Sequence, residues 1–200
     1  MNDPSNRRVS YQEYLRLEGL QGELRYEYLD GEMLAMSDPS RAHECIVSNF
    51  SETLGPPVRA RGCRYFTRGA VWCETRHSEL KPDWLLVCDE RDLLGRGDEM
   101  TRSRYRFPTF LVEVLSPSNS AAEMQAKLSA YSALASIETY LVVNSTRQQV
   151  WRFIRTSHGL VPSEGGDLVE TPFGALTRKQ IYRDAGVAGL SDVPVQPPPS

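Results

Sequence analysis

The chain lacks any apolar run long enough to cross a bilayer. The longest, Trp84-Leu-Leu-Val-Cys88 and Phe110-Leu-Val112, fall far short of the ~20 residues a spanning helix needs. Its opening, MNDPSNRRVS, holds no apolar stretch behind its charges, so nothing suggests secretion and a cytoplasmic location is expected. Cysteine is scarce: Cys45, Cys63, Cys73 and Cys88 contain no C-x-x-C, which argues against a zinc ribbon or a redox motif. A disulfide framework is not expected, and each cysteine reads as a small buried hydrophobe. The histidines, His43, His77 and His158, show no ligand spacing and give no ground for zinc. Positive charge is not in excess either. Lys and Arg number 23 against 26 Asp and Glu, a net of −3, which disfavours a protein that coats nucleic acid without specificity. Internal repeats and long linkers are also missing.

What is present is enough apolar material for one core: 40% hydrophobic residues over 200 positions. Residues 1–9 and 191–200 are expected to be unpacked, the latter closing on a proline run, with a single domain over 10–190. Ser10 and Glu13 read as a capping box opening a short helix that stops at Gly19. Two strand-like runs flank Asp30-Gly31, the strongest local hairpin signal. His43, Ile46, Val47, Phe50 and Leu54 fall on one helical stripe, and Pro56-Pro57 is expected to end that helix. Residues 64–74 read as a strand broken or bent at Gly69. Residues 82–88 and 109–115 are compact apolar runs, the mark of strands buried on both faces, with a polar loop over 89–106 between them. Ser120 and Glu123 open another helix with Met124, Leu128, Tyr131 and Ala135 facing inward. Strands are expected over 139–143 and 149–155. Strand, helix, strand in that order predicts a crossover onto a parallel neighbour. The class is α/β (α+β): a central mixed β-sheet flanked by helices, with an N-terminal β-hairpin.

Two acids stand out by position. Asp83 follows a proline at the mouth of a buried strand, and Glu113 interrupts the apolar string FLVEVL. Carboxylates are seldom fully buried without a partner or a metal. Two facing one cleft would repel, and one would take up a proton unless a divalent cation held both ionised. Mg²⁺ suits such a place, since it takes one or two carboxylates, keeps several waters and binds phosphates. Pairing of each acid with an arginine is the alternative.

The strings PDWLLV, FLVEVLSPS, Glu123-x-x-x-Lys127-x-x-x-Tyr131 and Ile137-Glu-Thr-Tyr-Leu-Val-Val143 together resemble the Uma-two family of restriction-like endonucleases. That family belongs to the PD-(D/E)XK nuclease superfamily. Tyr26-Glu27-x-x-Asp30-Gly31-Glu32 and Pro39-Ser40-x-x-His43 resemble its N-terminal half, so the likeness covers roughly residues 10–183. It implies a restriction-endonuclease-like fold and a metal-dependent phosphodiesterase, with DNA as the expected partner and no membrane association. A homodimer is one arrangement open to it. Asp83 and Glu113 would hold Mg²⁺, with Mn²⁺ as substitute. The superfamily lysine two residues after the glutamate is Leu115 here, and Lys127 is expected to take its place as a catalytic group. The family usually carries aspartate where this chain has Glu123, and an aspartate near Asn144.

Other residues have two readings each. With a two-residue turn at Asp30-Gly31, Leu29 pairs with Glu32 and Glu27 with Leu34, so both glutamates share one hairpin face. They would line the cleft or form a solvated face. His43 is a satisfied core histidine or lines the cleft near phosphate. Glu123 completes a capping box and an ordinary i, i+4 pair with Lys127, or lines the cleft; Tyr131 is core or cleft. The arginines at 59, 61, 64 and 68, and at 102, 104 and 106, form a solvated surface or supply phosphate contacts. The expected function is endonucleolytic cleavage of a phosphodiester, most readily in DNA. The rivals are a catalytically weak nuclease-fold binding module and a small-molecule phosphoesterase.

Overall fold

The computed structural model describes residues 7–20, 25–67, 69–94, 104–163 and 167–189. β1 (Arg7–Arg8), α1 (Tyr11–Leu20), β2 (Tyr26–Leu29) and β3 (Glu32–Ala35) lead into the long α2 (Arg41–Ala60). β4 (Arg64–Phe66), β5 (Ala70–Cys73), β6 (Ser78–Leu80), β7 (Trp84–Val87) and the short α3 (Glu90–Leu93) follow. Then come β8 (Arg104–Tyr105), β9 (Pro108–Leu115), α4 (Ala121–Ser132), β10 (Thr139–Asn144) and β11 (Val150–Thr156). β12 (Gly159–Ser163), β13 (Leu168–Thr171), β14 (Gly174–Thr177) and α5 (Arg178–Ile181) complete the elements.

The strands form two six-stranded sheets, ordered β1-β3-β2-β6-β5-β8 and β12-β11-β10-β9-β7-β4, and β13–β14 make a separate hairpin. The second sheet is mixed as expected: β9 and β10 run parallel, joined through α4, while β7, β11, β12 and β4 add antiparallel. Leu29, Val71 and Leu80 of the first sheet bury against Leu85, Leu111 and Val142 of the second, together with Met124 and Tyr131 of α4. α2 covers the opposite face of the second sheet, packing Ile46, Phe50 and Leu54 on Trp84, Phe110 and Val112. α1 covers the outer face of the first sheet through Tyr14, against Tyr26, Tyr28 and Met33. Alternation along β7 and β9 thus divides their apolar side chains between two cores, which explains the uninterrupted hydrophobic runs.

The Asp30-Gly31 hairpin forms in the expected register, with both turn residues at positive φ (50° and 89°), the conformation that Asp-Gly favours. Gly69 separates β4 from β5, which belong to different sheets. A Cβ there would sit 2.5 Å from the Tyr105 ring and 2.7 Å from Leu85, so only glycine fits the crossing.

Several expectations are corrected. α2 does not stop at Pro56-Pro57 but runs through them to Ala60. Two amide donors are lost, yet Leu54 and Val58 are buried in the core, and that burial offsets the loss. The chain turns away just past the helix at Gly62, whose φ is +77° and whose N–H donates to Arg59 O at 3.0 Å. Arg7 and Arg8, expected to be unpacked, pair as β1 with Met33 and Glu32 of β3. The 89–106 segment contains α3, capped by Asp89, whose side chain accepts from Arg91 N. Cys63 and Cys88 are not simple buried hydrophobes but a disulfide. Arg64 pairs with Val87 across β4 and β7, so the next positions outward face each other, at a Cα separation of 4.4 Å. Residues 1–6 and 190–200, and Arg68 and Arg102, lie outside the described residues.

Candidate functional site

β7 and β9 set the frame. Trp84 pairs with Val112 and Leu85 with Leu111, so one step outward Asp83 falls opposite Glu113. The Asp83 carboxylate accepts the Val114 N–H at 2.7 Å, which anchors it against the backbone next to Glu113. Its other oxygen lies 3.0 Å from His43 Nε2. His43 comes from the first turn of α2, where Ser40 caps the helix by accepting the His43 N–H. Burial pulls the imidazole towards neutrality, but the Asp83 carboxylate outweighs it and holds the His43 pKa above the ordinary range. His43 Nδ1 is buried without a hydrogen-bond partner.

Glu113 is 6% exposed in the middle of an apolar strand. Tyr131 donates its hydroxyl to one Glu113 oxygen at 2.8 Å, and Lys127 Nζ lies 3.4 Å from the other. Lys127 is only 4% exposed, more hidden than an ion pair on the helix surface would be. Its ammonium sits 2.6 Å from Glu27 and 3.9 Å from Glu123. Glu123 also accepts the Asn119 side-chain amide at 3.0 Å, and its backbone N–H donates to the Ser120 cap. The ring of Tyr140, on β10, meets Tyr131 edge-on at 5.1 Å, and its buried hydroxyl has no partner.

Four acids therefore gather around one lysine and one histidine, and the excess is negative. Burial is the largest cause that pushes the Glu113 carboxyl up, to about 8. Lys127 opposes the shift, while Glu27 and Asp83 add to it. The lysine loses this contest because its closest carboxylate is Glu27, not Glu113. For Lys127, burial pulls the ammonium down, but Glu113 and Glu27 outweigh it and keep it charged.

The oxygen-only donors Asp83 and Glu113 fit a hard divalent cation such as Mg²⁺. Among the described residues no three His, Cys, Asp or Glu side chains form a metal cage. A cation held by these two acids would complete its shell with water and phosphate oxygens, which is how Mg²⁺ usually binds.

The structure brings Asp83, Glu113, Lys127, Glu27, Glu123, Tyr131 and His43 into one contiguous network. Glu32 stands apart: its side chain is half exposed and lies 3.8 Å from Arg8. The described arginines of the two basic runs have local partners. Arg59 donates to Tyr65, Arg61 to Pro172 O and Arg64 to Cys63 O, while Arg104 pairs with Glu79 and Arg106 with Glu74. Sequence reasoning missed Lys81, whose backbone N–H donates to Glu27 at 2.7 Å, and Tyr140. Lys81 precedes Pro82-Asp83 directly, which was the one signal available.

The chain is similar to known proteins over most of its length. The model of the Uma2 family, described as "Putative restriction endonuclease", matches residues 11–177. An uncharacterized protein of Synechocystis sp. is 29% identical over 163 residues, which cover 76% of this chain and 77% of the relative. A crystal structure described as "a putative nuclease belonging to DUF820", from Anabaena variabilis, superimposes with a TM-score of 0.68 at 19% identity. That likeness covers 87% of this chain and 97% of the other, and it shows a common fold. No helix among the described residues is long and apolar enough to cross a membrane.

Proposed function

The chain belongs to the Uma2 family of restriction-endonuclease-like proteins, and from that premise we propose that it is a metal-dependent endonuclease cleaving phosphodiesters in DNA. The observation that carries the reading is Lys127: a helix lysine, almost fully buried, delivered beside the strand glutamate Glu113 where Leu115 leaves the strand position apolar. A divalent ion held by Asp83 and Glu113 would activate a water and polarise the phosphate. Around it, this chain's own side chains have separate duties. Val114 N–H and His43 hold the Asp83 carboxylate in place, and Tyr131 does the same for Glu113. Lys127 supplies a fixed positive charge that gains value as negative charge builds on the phosphate oxygens. Exclusion of water strengthens that interaction.

The test is nicking of supercoiled plasmid with Mg²⁺ or Mn²⁺, wild type beside Glu113→Gln and Lys127→Met. We expect both variants to lose at least about a hundredfold in rate, as positioned catalytic groups usually contribute that much. Lys127→Met should keep its Mn²⁺ affinity. Activity of Lys127→Met within about twofold of wild type would refute the lysine's role. DNA binding with a steep salt dependence, but no nicking, would assign the chain to the binding-module alternative.

A further inference from the structure

Glu27 is open to two readings, a third metal-site acid or something else, and its contacts separate them. It lies on β2, opposite Leu34, and is 2% exposed. One carboxylate oxygen accepts the Lys81 N–H at 2.7 Å and the other meets Lys127 Nζ at 2.6 Å. Both oxygens are thus engaged in short bonds, one to the backbone that leaves β6 and one to α4. Lys127 is correspondingly closer to Glu27 than to Glu113 at 3.4 Å or Glu123 at 3.9 Å. The Lys81 amide sits two residues before Asp83, at the exit of β6.

We propose that Glu27 is a positioning residue rather than a metal ligand: it clamps the Lys127 ammonium to the 81–83 segment that presents Asp83. This inference rests on the nuclease reading of the site. The physical logic is preorganisation. A lysine side chain has four rotatable bonds and loses much entropy when fixed; a buried carboxylate already immobilised by a backbone N–H fixes it before substrate arrives. Lys127 sits closer to Glu27 than to Glu113, so the lysine does not occupy the Glu113 carboxyl that faces Asp83. Lys127 then faces the phosphate in one orientation, tied by a carboxylate that takes no part in the chemistry.

Glu27→Gln isolates the clamp, because the amide oxygen can still accept from Lys81 while the amide NH₂ faces the ammonium, donor to donor. We expect kcat for plasmid nicking to fall about a hundredfold, since a misplacement near 1 Å costs about that much. KM for DNA and Mn²⁺ affinity by calorimetry should stay within about threefold of wild type, whereas Asp83→Asn should lose Mn²⁺ binding. In a Lys127→Met background, adding Glu27→Gln should change kcat by less than about twofold, because a group that acts only through Lys127 has nothing left to position. A readout independent of turnover is acetylation of Lys127 in metal-free protein, followed by mass spectrometry, with melting temperature confirming the fold. Lys127 should be modified at least several-fold faster in Glu27→Gln than in wild type. Loss of Mn²⁺ affinity matching that of Asp83→Asn would make Glu27 a ligand and overturn the proposal. Unchanged acetylation, or full additivity in the double variant, would overturn it as well. Should wild type not nick DNA at all, the nuclease reading fails by itself, and the acetylation comparison still decides the clamp.

Discussion

Removing the charge of Glu113 should make the metal-free protein more stable at alkaline pH, not less. Folding pushes this carboxyl from its ordinary 4.5 up to about 8, burial being the largest cause and the Glu27 and Asp83 charges adding to it. The folded chain therefore holds a proton that the unfolded chain has released. The stability this proton contributes is complete below about pH 4.5 and is lost as pH rises through about 8. At ~1.4 kcal/mol per pH unit, a gap of roughly three and a half pH units sets a ceiling on the order of 5 kcal/mol, a large share of the ~5–15 kcal/mol typical of a domain. His43 slopes in the same direction. Burial pulls it down but Asp83 holds it above the ordinary 6.5, so its share fades as pH rises through its raised value. Lys127 is charged in both states throughout this range and contributes no slope. Glu113→Gln keeps the side chain's shape and an oxygen for the Tyr131 hydroxyl, removes one titration and leaves the other. Urea unfolding in EDTA, from pH 5 to 8.5, measures the difference. Wild type should lose at least about 2 kcal/mol more than Glu113→Gln over that span, and the variant should be the more stable of the two at pH 8. Parallel pH profiles would refute the claim that an uncompensated carboxylate sits at this site.

Two further predictions concern the scaffold. Reducing the Cys63–Cys88 bond, or Cys63→Ser, should lower stability by about 3.5 kcal/mol, the loop-entropy value for a separation of 25 residues; calorimetry with and without reductant measures it, and an unchanged melting temperature would mean the bond adds nothing. Arg155 donates to the carbonyls of Ile137, Ser132 and Leu134 near the end of α4, so Arg155→Met should cost about 2–3 kcal/mol and fray that end of the helix, seen as faster amide exchange over 129–134.

The elements that frame the candidate site were legible for a physical reason. β7, β9 and β10 are buried on both faces, so they read as unbroken apolar runs, and the Ser120 cap marks the start of α4 without any tertiary information. β6 was not legible. Ser-Glu-Leu reads as surface, and it is buried only because Tyr11 and Tyr14 donate to Glu79 and Arg104 pairs with it. The prolines of α2 show the opposite failure, in which a correct local rule is overridden by what Val58 gains in the core. The disulfide needed the β4–β7 register, which no cysteine spacing contains.

The site divides along the same line. A carboxylate inside FLVEVL demands a partner wherever the strand lies, so Glu113 and Asp83 could be picked out from the chain alone. The phase of α4 was nearly right. The inward stripe runs through Met124, Lys127 and Tyr131, with Leu128 only partly buried and Ala135 beyond the helix. A helix wheel weighted by hydrophobicity cannot place a lysine at the centre of the buried face, because what draws Lys127 inward is a carboxylate on another element. Glu27 and Glu32 make the limit plain. The Asp30-Gly31 turn assigns both to one face of the hairpin, yet Glu27 is buried against Lys127 while Glu32 remains half exposed beside Arg8. A period of two tells which face a residue occupies, not how far along the strand the neighbouring layer reaches. That depth is set by the stacking of the two sheets, and it is what separates a buried clamp from a surface acid with the same local sequence context.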